Sequence, residues 1–141
     1  MPGRPAPRRR TVLSAAALTP VAGLGLTACS PDDDGAAPAR PTAPVDLGAD
    51  GEVAKGAATL FPDGNVVVSR AENGSLKAFS TVCTHAGCPI EKLEGAKLVC
   101  PCHGSEFDAR TGEVLHAPAT APLIELPVEV KQGRIIASPG A

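Results

Sequence analysis

The chain has 141 residues, enough for one compact domain once its ends are set aside. Gly and Pro occur 15 times each, and Trp and Tyr are absent, which argues against long helices and leaves Val, Leu, Ile and Ala to build the core. Nine basic and 15 acidic residues lie beyond position 28, a net charge of −6 that argues against nucleic acid and suits a partner with a basic docking patch.

Residues 1–28 read as an export address rather than as structure. The four remaining basic residues, Arg4, Arg8, Arg9 and Arg10, all precede position 11, and no acidic residue occurs before Asp32. Arg8-Arg9-Arg10-Thr11-Val12-Leu13 resembles the twin-arginine signal, with paired arginines set directly before an apolar stretch. That stretch, Leu13 to Leu26, is interrupted by Pro20, Gly23 and Gly25 and is too short and broken for a persuasive membrane-spanning helix. It ends in Leu26-Thr27-Ala28-Cys29, which resembles a bacterial lipobox, so Cys29 is expected to be the first mature residue and to carry a lipid. Residues 29–44, rich in Ala, Pro and Asp, form a flexible tether that cannot bury a core. The expected location is the outer face of the bacterial cytoplasmic membrane, with membrane contact through the lipid anchor only.

From Val45 to Ala141 the pattern is that of a folded all-β domain. Asn65 to Arg70 is a strand, bounded by Pro62-Asp63-Gly64 and Asn73-Gly74. Ser75 to Val82 alternates and runs into a first box, Cys83-Thr84-His85-Ala86-Gly87-Cys88. Lys97-Leu98-Val99 runs likewise into a second, Cys100-Pro101-Cys102-His103-Gly104-Ser105. Asp108 to Gly112 is a turn leading to Glu113-Val114-Leu115, and the chain ends in a hairpin, Leu126 to Val130 and Arg134 to Ala137, turning at Gln132-Gly133. The expected architecture is an antiparallel β-sandwich or barrel with the two boxes on loops at one end.

The boxes hold four of the five cysteines and two of the three histidines. Cys83 and His85 offer one sulfur and one nitrogen, and Cys100 and His103 offer the same from a second loop. Such a mixed set could hold a tetrahedral zinc or a 2Fe-2S cluster. Zinc halves usually space their ligands by two to four residues, and here Cys83-x-His85 is tighter, with Cys88 and Cys102 left over, so zinc is the weaker reading. His116 has no partner at motif spacing and reads as an exposed loop histidine, and Asp32-Asp33-Asp34 as part of a solvated linker.

The boxes resemble those of the Rieske iron–sulfur proteins, CTHxGC and CPCHGS, matched at every specified position, over roughly Val45 to Ala137. The resemblance implies a 2Fe-2S cluster with Cys83 and Cys100 on one iron and His85 and His103 on the other. It implies a Cys88–Cys102 disulfide joining the loops, which needs an oxidising compartment. It also implies that Ser105 donates its hydroxyl to a bridging sulfide and that Pro118 lies in a loop shielding the cluster. In the high-potential members a tyrosine stands two residues after the serine; Phe107 stands there here, so one hydrogen bond to a ligand sulfur is lost. The expected potential is therefore below that of respiratory Rieske subunits and above that of oxygenase ferredoxins. Two ferric ions, two sulfides and two thiolates sum to zero with neutral imidazoles, and reduction favours protonated histidines.

These features imply one-electron transfer by a carrier or subunit rather than a complete enzyme, with a cytochrome or a larger oxidoreductase subunit as redox partner. The alternatives are a Rieske subunit of a cytochrome bc complex, the small subunit of an exported molybdenum oxidase such as arsenite oxidase, and a zinc-stabilised interaction module.

Overall fold

Val66-Val67-Val68 shows no apolar–polar alternation, and the architecture explains why. The computed structural model describes residues 40–141. The twin-arginine segment, Cys29 and most of the tether lie outside the described residues. The strands are β1 (Val45–Ala49), β2 (Ala58–Phe61), β3 (Val66–Arg70), β4 (Leu76–Ser80), β5 (Lys92–Glu94), β6 (Lys97–Val99), β7 (Glu106–Asp108), β8 (Val114–His116), β9 (Glu125–Leu126), β10 (Val128–Lys131) and β11 (Arg134–Ala137). They form three sheets, β1-β11-β10, β2-β3-β4-β9 and β5-β6-β7-β8, in which every pair is antiparallel.

Sheet β2-β3-β4-β9 is covered on both faces. Val66 and Val68 pack with Leu47, Ile135 and Ala137 of the β1-β11-β10 sheet. Val67, pointing the other way, packs with Phe79 of β4 and with Leu98 and Phe107 of the third sheet. A strand buried on both faces must be apolar throughout, and all three valines are fully buried. Burying each such side chain contributes about 1.5–3 kcal/mol, which a core with only three phenylalanines depends on. Arg70 closes the hairpin end of β3: its guanidinium donates to the Val53 and Asp50 carbonyls at 2.8 and 2.9 Å and pairs with the Asp50 carboxylate.

The third sheet positions the boxes. The second box is the loop between β6 and β7, closed by the pair Val99↔Glu106. The first box leaves β4 and is closed by an isolated bridge, Val82↔Pro89. His116 lies on β8 opposite Glu106, which corrects the loop expected for it, and it is exposed. The shift arises because the pairing slips between Glu106 and Phe107, carrying β8 one residue past Leu115.

Candidate metal centre

The two boxes are copies of one loop. In each, six residues separate a closing pair of bridged residues, Val82 and Pro89 in the first and Val99 and Glu106 in the second. The leading cysteine donates its N–H to the carbonyl five residues on: Cys83 to Cys88 at 2.8 Å, and Cys100 to Ser105 at 2.9 Å. A glycine then donates back, Gly87 to the Cys83 carbonyl at 2.8 Å and Gly104 to the Cys100 carbonyl at 3.1 Å. Both glycines have φ +78°, a left-handed conformation that costs a side-chain-bearing residue energy, so the glycine in each box is set by backbone geometry.

Cys83 and Cys100 are free and buried, while Cys88 and Cys102 form a disulfide. The sulfurs of Cys88, Cys100 and Cys102 lie within 4.8 Å of one another, but two of them share the disulfide and cannot serve as thiolates. Burial pushes the Cys100 thiol up from its ordinary value. Hydrogen bonds from the Cys102 and His103 N–H groups oppose this, and the contact with the Cys83 side chain adds to it. Two N–H groups aimed at a buried sulfur favour its thiolate form once a cation compensates for the missing solvent. His85 and His103 stand side by side at the surface, their ring centroids 4.8 Å apart at an interplanar angle of 85°.

A third segment, residues 117–122, bridges the boxes. Thr84 Oγ1 donates to the Ala121 carbonyl at 2.6 Å, and the Ala119 N–H donates to Ser105 Oγ at 3.0 Å. Pro118 is exposed, whereas Ala119 is buried and packs in the same apolar group as Cys83 and Cys100. Ser105 is fully buried, and among the described residues nothing accepts its hydroxyl proton. A buried donor without an acceptor is costly, and a sulfide beside it would remove that cost. Two buried free thiols and two exposed imidazoles supply the mixed sulfur and nitrogen set of a 2Fe-2S cluster, and the buried Ser105 hydroxyl, whose oxygen accepts from Ala119, keeps its proton to offer to a sulfide.

The family of the Rieske [2Fe-2S] domain matches residues 43–131. The chain belongs to the Rieske family. Its cofactor is accordingly a 2Fe-2S cluster. This Rieske chain is 37% identical over 79 residues to the cytochrome b6-f complex iron-sulfur subunit of Chlorobaculum tepidum, covering 55% of this chain and 42% of that one. It is 42% identical over 73 residues to sulredoxin of Sulfurisphaera tokodaii, covering 50% and 66%. The crystal structure of the cyanobacterial plasma membrane Rieske protein of Synechocystis superposes with a TM-score of 0.52 at 31% identity, covering 67% of this chain and 98% of that one. The Rieske chain thus spans less than half the length of the Chlorobaculum subunit.

The sequence-predicted residues converge. Cys83 meets Cys100, His85 meets His103, and Cys88 bonds Cys102. Phe107 is fully buried in the group that holds Cys83 and Cys100. Two polar contacts escaped sequence reasoning, those of Thr84 and of the Ala119 N–H. Thr84 carries a signal, being the one hydroxyl inside the first box, whereas a main-chain donor carries none.

Proposed function

We propose that this chain carries single electrons on the outer face of the cytoplasmic membrane, held there by a lipid on Cys29. In this reading Cys83 and Cys100 bind one iron and His85 and His103 the other. The bound cluster supplies a one-electron couple at roughly −150 to +300 mV. The chain's residues do the rest. The buried cysteines and the apolar group around them keep water from the sulfurs, while the two imidazoles reach the surface as the electron exit. That split in exposure is the observation that carries the reading: both cysteines are 2% exposed, and both histidines are exposed.

The test is expression of the full chain with its own leader in a bacterium that runs twin-arginine export. We expect about two iron and two labile sulfide per chain, in line with a 2Fe-2S centre. The protein should sediment with membranes, and Cys29→Ser should release it in soluble form. A colourless, zinc-loaded product, or a Cys29→Ser protein still on the membrane, would contradict the corresponding half of the proposal. A second reading, an iron–sulfur subunit of a quinol-oxidising cytochrome complex, draws on the Chlorobaculum relative. Co-purification of a large cytochrome subunit after mild solubilisation distinguishes it from a free carrier.

The tip carries no formal charge: residues 83–88, 100–105 and 117–122 contain no Asp, Glu, Lys or Arg. The acidic excess lies elsewhere, so the basic docking patch suggested by net charge is not called for at the exit. Oxidation by hexacyanoferrate should change less than about threefold between about 0.05 and 0.5 M salt, because local charge sets such screening. A tenfold change would put a charged patch beside the histidines.

Phe107 makes a further test. A tyrosine hydroxyl placed toward a ligand sulfur favours the more negative, reduced state and raises the potential. Phe107→Tyr should raise the midpoint on the order of 60 mV, the equivalent of one hydrogen bond of about 1.4 kcal/mol. A downward or absent shift in a loaded, stable variant would show that the ring does not face a sulfur.

A further inference from the structure

Ala119 is the only buried residue in a segment whose neighbours are exposed: Ala117, Pro118, Thr120, Ala121 and Pro122 all lie in solvent. The chain dips inward for one residue, and at that point its N–H meets Ser105 Oγ at 3.0 Å. Ser105 is held from a second side as well, since its own carbonyl accepts the Cys100 N–H at 2.9 Å. A hydroxyl oxygen has two lone pairs and one rotatable proton. With Ala119 donating into one lone pair, the proton cannot point back along that direction. Accepting a bond also strengthens a hydroxyl as a donor, by about 10–30% in condensed-phase estimates.

We propose that the Ala119 main-chain N–H is a positioning group for the redox centre, holding the Ser105 hydroxyl so that its proton is offered to the cluster and the reduced state is favoured. This rests on the reading that Ser105 faces the cluster. It goes beyond it in giving residues 117–122 an electronic role as well as a covering one. The role belongs to the backbone, so side-chain changes at 119 that keep the N–H should be silent in potential, and only loss of the N–H should act.

The test is a double-mutant cycle on the cluster-loaded full chain, read as midpoint potential. Ser105→Ala should lower the potential. Ala119→Gly, which keeps the N–H, should leave it unchanged. Ala119→Pro, which removes the N–H, should lower it by less than Ser105→Ala does. In the Ser105→Ala background Ala119→Pro should add nothing. An equal shift in both backgrounds would overturn the proposal, because the segment would then act without Ser105; so would no shift in either background. If Ser105→Ala itself leaves the potential unchanged, the reading of Ser105 fails and the proposal with it, a result distinguishable from the preceding ones.

Should Ala119→Pro fail to load, hydrogen exchange decides with proteins that do load. The Ala119 amide in Ser105→Ala should exchange at least about tenfold faster than in the wild type, having lost its acceptor. Unchanged protection would overturn the proposal.

Discussion

Cys100→Ser is expected to give a colourless protein, whereas Cys102→Ser, two residues away, is expected to stay coloured. Both cysteines belong to the same loop, and the sulfurs of both lie within 4.8 Å of Cys88. They differ in what surrounds them. Cys100 is buried, free and in contact with Cys83, and the N–H groups of Cys102 and His103 point at its sulfur. Cys102 is exposed and already spent in the disulfide. A serine at 100 would have to ionise a hydroxyl far less acidic than a thiol, in a site where burial already disfavours charge. The visible absorption and the EPR signal of the reduced centre should therefore vanish completely. A Cys100→Ser protein that kept its full absorption would remove Cys100 from the ligand set. An equal loss of colour in Cys102→Ser would mean that the clasp, and not the thiolate, is what the cluster requires.

How far this site could be read from sequence follows from how local each part is. The boxes are six-residue loops whose ligands, glycines and closing hydrogen bonds all lie within the box, so both were legible as a cysteine–histidine set. The pairing of Cys88 with Cys102 crosses between boxes, and only the family resemblance supplied it. The long apolar strand β3 was legible, though its lack of alternation made sense only once both of its faces were found covered. The three-residue β6, Lys97–Val99, was legible from the box it leads into, but β5 was not: it is Lys92–Glu94, with one apolar residue between two charges, and nothing in three residues sets a period. In β1 the pairing slips between Asp46 and Gly48, which breaks the alternation a strand is recognised by. The Ala119 contact was beyond reach because every residue but proline carries the same N–H.

The second large effect concerns stability. Replacing both Cys88 and Cys102 by Ala should lower the stability of the described domain by about 3 kcal/mol, the chain-entropy value for a loop of about 15 residues. The bridge spans a sequence separation of 14, from the first box to the second, and is the one covalent tie between two loops that the short strands β5 and β6 separate in the chain. For a domain of about 100 residues that is a melting point lower by about 10–20 °C. The loss matters more here than in a better-filled protein. Three phenylalanines and no Trp or Tyr leave a core of small aliphatic side chains, and marginal domains have few kcal/mol to lose. In the chain-entropy account the bridge acts on the unfolded state, so the loaded variant should keep its cluster and its potential well below its new melting point. If the bridge instead holds the folded loops in place, the variant should shed iron at low temperature with the β-sheet circular dichroism intact. Parallel melts and iron-release time courses on the variant separate the two. We expect the first outcome, because each loop is already closed by its own pair of hydrogen bonds and by the segment 117–122. Those bonds survive the substitution, and with them the places of Cys83 and Cys100.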